Sequence, residues 1–390
     1  MPVPLIPRVV RPVIASAVLG STIYVIAGAY PTAAVAQTDG SLPQAVGVTA
    51  PAKQFFTAVR ANFGGWDLNH DGRLTREEIE LEMQDRRITG VAAAALGALK
   101  LSATRSNYLL ETRSYSLADI DAMEDRLQQG QPEKSDQKLV RDFAYGIKKL
   151  KEVPRQLFSE GVPHLAAIRQ DRTSDCYFLS ASGALAEARP EAIARMIAPN
   201  RDDTYVVSFP GRASVRVSAP TDAEIAAYSD ARDGIWLNLL ERAYAIVRIK
   251  AEPSKPATRE PLDSVGFRTG SSSVIELLTG HPSKVIQFPI DSHRAADMRL
   301  LQQVRGELIS AIRQHRVMET QKASHDFAVT GYDAASDQVT IHNPYDRGGY
   351  ETMPDGNKAE RTSDGFFTLS TAQFVNYFKY LRYESGGGRS

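Results

Sequence analysis

The sequence is poor in cysteine and has no excess charge of either sign. Among its 390 residues there is a single cysteine, Cys176. One cysteine cannot form an intramolecular disulfide or the thiolate cluster of a structural zinc site. Lys and Arg together number 46, and Asp and Glu also number 46, so the formal net charge is zero. Without an excess of basic charge we expect no nucleic-acid partner and no attraction to an anionic membrane surface.

Long apolar runs are also scarce, and the one that approaches membrane-spanning length lies near the N-terminus, at residues 13–30. Arg8 and Arg11 precede this run, and the small residues 34–36 follow it. A basic start, an apolar run and then small residues are the layout of a secretory signal, which we assign to residues 1–36. The length of the run leaves an uncleaved membrane anchor open. In either case we predict a periplasmic or secreted protein, in contact with a membrane only if the segment is not cleaved.

The remaining sequence divides into a short linker, a helical module and a larger mixed region. Hydrophobic residues make up 43% and charged residues 24% of the chain, as in proteins that fill a core. Gly, Pro, Ser and Thr mark residues 37–50 as a linker, and apolar residues at helical spacing predict a helical module over 51–137. The larger region, 138–385, has a helical part at about 155–250 and a strand-rich part at about 265–385. Helices followed by strands, without strict alternation, predict an α+β fold.

One stretch of the helical module, residues 67–78, has the twelve-residue pattern of an EF-hand calcium loop. Calcium takes about six to eight oxygen ligands, and a glycine at the sixth position, here Gly72, permits the bend that brings them together. The predicted ligands are five side chains and, at Arg73, a backbone carbonyl: Asp67, Asn69, Asp71, Arg73, Thr75 and Glu78. We therefore expect a Ca²⁺ cofactor. An acidic surface turn is the alternative interpretation.

EF-hand loops usually occur in pairs, and the best partner in this sequence is residues 108–119. Its second half resembles the second half of the first loop, with Tyr115 in the place of Leu74. Its early positions include Tyr108 and Leu110, which cannot ligate a cation. We interpret this stretch as a degenerate partner that packs against the first loop and binds no metal.

The single cysteine stands at the predicted start of a helix, with Asp175 near the N-cap of that helix. The small residues 180–184 predict a buried helix that other backbone can approach closely. A thiol at a helix N-terminus is favoured as the thiolate, because the helix dipole stabilises negative charge there. A histidine base would complete the activation of Cys176 as a nucleophile. A buried, inert thiol is the alternative.

The histidine of greatest interest is His325, in the first of two strand-like runs that are separated by the turn residues 333–337. The two runs predict an antiparallel hairpin that puts His325 opposite residues 343–345. Opposed side chains in such a pair have Cβ atoms ~4.5–5.5 Å apart, so Asn343 can reach His325 and orient its ring. A histidine that is simply satisfied within a β-hairpin is the alternative.

Over residues 155–385, approximately, these motifs resemble the protease core of the calpain-like cysteine peptidases. Five motifs occur in the order that the family shows. They are Gln170 with Asp175-Cys176 and Phe178-Leu179, the segment Trp236–Ala245, the segment Leu278–His281, His325 with Asn343-Pro344, and the segment Asp364–Ser370. The sequence departs from the family pattern at Tyr177, where tryptophan is usual, and at Tyr345-Asp346, where Trp-Gly is usual.

The resemblance implies a two-lobed papain-like fold, preceded here by the EF-hand module. It implies a calcium-binding cysteine endopeptidase that acts on protein or peptide substrates through Cys176, His325 and Asn343. In the same resemblance, Gln170 stabilises the oxyanion. The rival hypothesis is a catalytically inactive module of this family that binds partner proteins in a calcium-dependent way. Acyl transfer to an acceptor other than water would use the same triad and stays open.

Overall fold

The computed structural model of the chain describes residues 49–103, 114–171, 173–251, 262, 265, 272–289, 297–345, 349–353 and 356–386. The predicted signal segment, most of the predicted linker and the first half of the predicted partner loop lie outside these residues. Residues 45–390 form one compact unit. None of the described helices is both long and apolar enough to cross a membrane.

The described part of the chain is an α+β structure, as the sequence predicts, and its first five helices precede every strand. The α-helices are α1 Ala50–Trp66, α2 Arg76–Glu82, α3 Gly90–Ala103, α4 Leu117–Gln128, α5 Lys134–Glu152, α6 Cys176–Ala188, α7 Pro190–Met196, α8 Asp222–Ala227, α9 Trp236–Ala251, α10 Ser272–Thr279, α11 Met298–Arg313 and α12 Thr371–Tyr377.

The strands pair only in antiparallel fashion among the described residues. They are β1 Ile168–Arg169, β2 Ile197–Pro199, β3 Thr204–Val207, β4 Val215–Ser218, β5 Asp230–Ala231, β6 Ser283–Gln287, β7 Met318–Lys322, β8 His325–Asp333, β9 Gln338–His342, β10 Gly349–Thr352, β11 Lys358–Arg361, β12 Phe366–Ser370 and β13 Tyr380–Glu384. The largest sheet has six strands in the order β12-β9-β8-β7-β13-β6. A three-stranded sheet, β2-β3-β4, and the pairs β1-β5 and β10-β11 complete the described sheets.

Helices α1 to α5 pack around an apolar core that they share with α8. Phe55 of α1 meets Phe143 of α5 edge to face, with the ring centroids 5.6 Å apart, and both rings are fully buried. The Ala- and Leu-rich helix α3 packs against both α5 and α8. Helix α5 runs without a break across the predicted boundary between residues 137 and 138. The helical module and the region that follows it therefore share one continuous helix.

The helix predicted at the cysteine is confirmed: α6 begins at Cys176, with Asp175 as its N-cap. Residues 176–186 of this helix are all buried, and α6 packs against β8 of the large sheet. A β-carbon at Gly183 would collide with the side chain of Leu165. The small residues of α6 thus permit the close approach that the sequence predicts, and they fix the helix against its neighbours.

The predicted hairpin is also confirmed, as the antiparallel pair β8–β9. Ala328 lies opposite His342, so the same register continued toward the strand ends brings His325 to the segment that follows β9. The turn at the other end is held by Asp337, whose carboxylate accepts hydrogen bonds from Arg305 at 2.9 and 2.6 Å. These bonds hold the pKa of Asp337 well below its ordinary value. The hairpin register is therefore fixed at the end remote from His325.

Candidate active site and candidate calcium loop

The predicted catalytic residues come from the residue after β1, the start of α6, the start of β8 and the residue after β9: Gln170, Cys176, His325 and Asn343. Two contacts bring these segments together. The Gln170 backbone N–H donates a hydrogen bond to the Pro344 carbonyl at 2.9 Å. The Cys176 thiol lies within 3.9 Å of the Ser324 carbonyl oxygen, as a hydrogen-bond donor to it. Each contact reaches a residue next to His325 or Asn343, so the four segments meet in one site.

The contact between His325 and Asn343 is the best-defined one in the site. The His325 Nε2 atom lies 2.7 Å from Asn343 Oδ1. The same oxygen accepts a hydrogen bond from the Tyr345 backbone N–H at 2.9 Å. Because an amide oxygen only accepts, Nε2 carries the proton in this arrangement and Nδ1 of a neutral ring is an acceptor. The predicted reach of Asn343 to His325 is confirmed.

Aromatic rings enclose this histidine. The ring of Phe327 meets the imidazole edge to face at 4.7 Å between centroids, and that of Tyr345 does so at 6.4 Å. Burial lowers the pKa of His325 below its ordinary value, although the hydrogen bond with Asn343 and the charge of Asp326 act in the opposite direction. The imidazole is therefore in its neutral, basic form at neutral pH.

A residue that the sequence did not single out, Glu351 on β10, holds the asparagine. Its Oε1 accepts a hydrogen bond from Asn343 Nδ2 at 3.2 Å. The Arg361 guanidinium lies 3.2 Å from the same oxygen, and the Tyr377 hydroxyl donates to the other one. These contacts orient the amide so that its oxygen faces His325. Glu351 follows Asn343 by only eight positions, but no periodic pattern marks it, since it lies on a separate two-stranded pair.

The thiol itself is almost completely buried, since Cys176 is 5% exposed. It stands at the first position of α6, where the helix dipole favours a thiolate. A second acceptor close to the thiol is the carboxylate of Asp326, whose Oδ2 lies 3.7 Å from Sγ. No sequence pattern singles out Asp326, because strand alternation predicts only that its side chain points away from that of His325.

The Gln170 side chain is turned toward its own loop. Its Nε2 donates a hydrogen bond to the Thr173 carbonyl at 2.9 Å. Its Oε1 is buried and has no hydrogen-bond partner among the described residues. For Nε2 to act as an oxyanion donor, this side chain would exchange the Thr173 carbonyl for the substrate oxygen.

Two buried acids lie directly behind the cysteine. The carboxylate of Asp175 accepts a hydrogen bond from the Ser229 hydroxyl at 2.7 Å and is also hydrogen-bonded to Glu241. Burial raises the pKa of Asp175 to about 6, and burial next to Asp175 raises that of Glu241 as well. Two adjacent buried carboxyl groups share a proton more readily than they carry two charges. The N-cap of the cysteine helix is therefore sensitive to protonation.

A buried lysine from the helical module reaches the same region. Lys149 of α5 is fully buried, and its Nζ lies 3.1 Å from Asp171 and 3.2 Å from Asp230. It also donates to the Tyr228 carbonyl. Asp171 follows Gln170 in the loop before Cys176, so α5 and the cysteine loop are joined by an internal ion pair. Residue spacing does not predict this contact, because its members are far apart in the chain.

The predicted calcium loop, residues 67–78, connects α1 to α2 and is closed by its own backbone. Gly72 has a left-handed φ of 80°, which the bend at the sixth position requires. The Gly72 N–H donates to Asp67 Oδ2 at 2.9 Å, and the Asp71 N–H donates to Asn69 Oδ1 at 2.9 Å. These bonds turn the chain back on itself and gather three of the predicted ligand side chains.

The other predicted ligands close the loop at its C-terminal end. Glu78 is 6% exposed, and its carboxylate accepts hydrogen bonds from the Leu68 and Asn69 N–H groups at 3.0 and 3.2 Å. The Thr75 hydroxyl donates to the same carboxylate at 2.7 Å and caps α2. Burial tends to raise the pKa of Glu78, but hydrogen bonds led by those from Thr75 lower it overall. Arg73 reaches the Ser114 hydroxyl through its side chain at 2.9 Å.

A short bridge joins this loop to the segment before α4. Leu74 and Tyr115 exchange both backbone hydrogen bonds, at 2.7 and 3.0 Å. Both side chains are fully buried. The predicted packing of the second half of 108–119 against the first loop is thus confirmed for Tyr115, while residues 108–113 lie outside the described residues.

The donors of residues 67–78 fit a calcium ion in chemistry, because every predicted side-chain ligand offers a hard oxygen. Two of them, Asp67 and Glu78, are buried at 5% and 6% exposure. Within the part of the chain that the structure describes, no group of three or more His, Cys, Asp or Glu side chains is positioned to hold a metal ion. Because the Glu78 carboxylate accepts hydrogen bonds from the Leu68 and Asn69 N–H groups, it would have to give up these bonds in order to bind a cation.

No protein-family model matches the chain. No curated protein matches it significantly either.

Proposed function

We propose that the chain is an exported, calcium-binding cysteine endopeptidase of the calpain-like kind, with a papain-like core. Cys176, His325 and Asn343 are its catalytic residues, and proteins or peptides are its substrates. The observation that supports this most strongly is the 2.7 Å contact between His325 Nε2 and Asn343 Oδ1. It occurs on a strand whose first residues lie against the only thiol of the chain.

The proposed reaction begins with the thiol of Cys176 and the Nδ1 atom of His325. With Nε2–H held by Asn343, Nδ1 takes the thiol proton, and the thiolate attacks the scissile carbonyl carbon. The dipole of α6 stabilises the thiolate as it forms. Asn343 keeps the imidazole in the required tautomer, and Glu351 keeps Asn343 in place.

The tetrahedral intermediate carries its negative charge on the former carbonyl oxygen. The Cys176 backbone N–H and the Gln170 Nε2 donate hydrogen bonds to that oxygen. One donor of this kind typically contributes ~10²–10³ in rate. His325 then gives its proton to the leaving amine, and a water molecule hydrolyses the thioester that remains on Cys176.

Calcium, when bound, supplies positive charge that offsets the carboxylates of Asp67, Asp71 and Glu78. The residues that would hold it are those of the predicted loop, with Asn69, Thr75 and the Arg73 carbonyl as neutral donors. In this proposal its role is to stabilise the paired loops of the helical module.

An inactive binding module is the second candidate, and two contacts favour it. Gln170 Nε2 is engaged by the Thr173 carbonyl, and the Cys176 thiol faces the carboxylate of Asp326. In each contact, a group that the reaction requires is already engaged within the protein. Retention of all four chemical residues favours the enzyme.

The test is cleavage of unfolded casein by the purified protein, beside Cys176→Ala, in calcium and in chelator. We expect fragments from the wild type alone, and fewer of them in chelator. Equal cleavage by Cys176→Ala would contradict the proposed nucleophile. An absence of cleavage under both conditions would leave the calcium-dependent binding module as the better description.

A further inference from the structure

The residue after His325 is an acid that points at the thiol. Asp326 is fully buried, and its Oδ2 lies 3.7 Å from the Cys176 Sγ. The same thiol lies near the Ser324 carbonyl, at 3.9 Å. A carbonyl and a carboxylate both accept hydrogen bonds, so the environment on this side of the sulfur suits a protonated thiol.

The carboxylate of Asp326 is held in this orientation by donors to its other oxygen. Gln321 Nε2 donates to Oδ1 at 2.8 Å, and the Tyr380 hydroxyl donates to it at 3.3 Å. Arg382 donates in turn to the Tyr380 hydroxyl at 3.1 Å. With Oδ1 fixed by two donors, Oδ2 is left directed at Sγ.

Besides Asp326, the ionisable groups on the elements around this contact are Asp175, Tyr177 and Glu187 at or in α6, Glu319 and Lys322 on β7, His325, Tyr332 and Asp333 on β8, and Tyr380, Arg382, Tyr383 and Glu384 on β13. Glu319 is paired with Arg382 at 2.6 Å, and Lys322 lies over the ring of Tyr377. Asp326 is the acid whose contact with the sulfur is observed, at 3.7 Å. A like charge within ~4–6 Å disfavours the ionised form of a group by roughly 1–3 pKa units.

We propose that Asp326 is a further catalytic residue, which accepts a hydrogen bond from the Cys176 thiol and keeps it protonated until substrate binds. This inference rests on the proposed function. The proton stays on Sγ in the resting site and passes to His325 Nδ1 when the thiolate attacks. Once the proton is on His325, the carboxylate of Asp326 stabilises the imidazolium. Asp326 thus sets the balance between a latent thiol and a reactive ion pair.

The test measures how fast iodoacetamide alkylates the full chain between pH 5 and pH 10, by intact mass. Since Cys176 is the only cysteine, every adduct reports on this thiol. We expect the wild type to titrate at or above the ordinary thiol pKa of about 8.5. Asp326→Asn should lower the midpoint by about one unit or more and raise the rate at pH 7 about tenfold. Asp326→Ser is a second variant that removes the charge.

Asp333→Asn is the matched control, because Asp333 is an exposed acid at the far end of the same strand. It should leave the profile unchanged. A wild-type midpoint well below 8 would overturn the inference without any variant, as would unchanged midpoints in folded Asp326→Asn and Asp326→Ser. Alkylation needs no peptide hydrolysis, so a lowered midpoint in a protein that cleaves no casein would support the role of Asp326 and contradict the peptidase. Casein cleavage with unchanged midpoints would support the peptidase and contradict the role of Asp326.

Discussion

The calcium loop and the cysteine site are built in opposite ways. In the loop, the proposed ligands fall within twelve consecutive residues, and Asp67 contacts Gly72 only five positions away. In the cysteine site, Cys176 contacts Asp326 across 150 positions. Local turn chemistry shapes the first site, whereas the second exists only if α6, the β8–β9 hairpin and the loop at Gln170 are packed together. The loop should therefore tolerate changes elsewhere in the chain, and the cysteine site should not.

The largest expected effect comes from the buried ion pair that joins α5 of the helical module to the loop before Cys176. Lys149→Met would leave the buried carboxylates of Asp171 and Asp230 without their ammonium partner. Breaking a buried pair in this way typically costs ~3–5 kcal/mol. We expect a loss of that size in the free energy of unfolding by urea. Lys148→Met is the control, because the neighbouring Lys148 side chain is 61% exposed and should cost little. Equal losses of unfolding free energy in the two variants would mean that the internal ion pair does not stabilise the fold.

The next effect separates the two functions of Glu78, as a loop-closing acceptor and as a calcium ligand. Glu78→Gln retains the capping box with Thr75, because glutamine also serves at that position. We expect some loss of stability in chelator, because an amide NH2 cannot accept the hydrogen bonds that one carboxylate oxygen accepts in the wild type, and no gain on adding calcium. The wild type should gain about 2.7 kcal/mol when calcium reaches a hundred times its dissociation constant. Thermal unfolding measures both quantities.

Glu77→Gln is the control for this comparison, since Glu77 is exposed and is not a predicted ligand. It should respond to calcium as the wild type does. A calcium response that survives Glu78→Gln would remove the proposed metal site from residues 67–78.

A smaller effect is expected at the support of the asparagine. Glu351→Gln keeps the shape of the side chain but removes the charge that holds Asn343 and Arg361. We expect kcat to fall about tenfold with little change in KM, which matches a charge-assisted hydrogen bond worth ~1.5 kcal/mol. Glu360→Gln on the adjacent strand is exposed and serves as the control. A change in KM alone would show that Glu351 acts on substrate binding instead of on His325.

The smallest effect concerns the buried acid at the N-cap of α6. The pKa of Asp175 is raised to about 6 by burial, above its value in the unfolded chain. The folded state therefore binds more protons between about pH 4 and pH 6, and this group adds stability as the pH falls from 7 to 5. The gain is about 1 kcal/mol over that interval.

Asp175→Asn should remove this contribution, which urea unfolding at pH 5 and pH 7 would detect as a difference from the wild type. Asp125→Asn, an exposed control on α4, should follow the wild type. Burial lowers the pKa of His325, so this residue reduces the stability of the fold as the pH falls over the same interval. Only the difference between Asp175→Asn and the wild type therefore isolates the contribution of Asp175. An Asp175→Asn protein with the pH dependence of the wild type would contradict the shared-proton interpretation.

The same contrast explains how far the sequence could predict the molecule. The helix at Cys176 and the β8–β9 hairpin follow from periodicity and turn residues, which act over short stretches. The packing at Tyr115 follows from the likeness of its segment to the second half of the calcium loop. The reach of Asn343 to His325 also follows, because a hairpin register is set by a nearby turn. These elements place the histidine and its partner correctly.

Contacts between distant segments could not be predicted in this way. In the sequence pattern, Lys149 is one more polar position of an amphipathic helix. In the structure it lies buried between two aspartates. Asp326 and Glu351 acquire their positions from the stacking of α6 on the sheet and from the β10–β11 pair. No local pattern encodes such packing, so these residues emerge only from the folded chain.

The most direct measurement of the central claim is the mass of the protein during turnover of a peptide ester, quenched with acid. The proposed reaction forms a thioester on Cys176, so the wild type should gain the mass of the acyl group on the peptide that contains this residue. Asn343→Ala should form the same adduct more slowly, and Cys176→Ala should form none. Turnover without an adduct, or an adduct of equal yield in Cys176→Ala, would contradict the account.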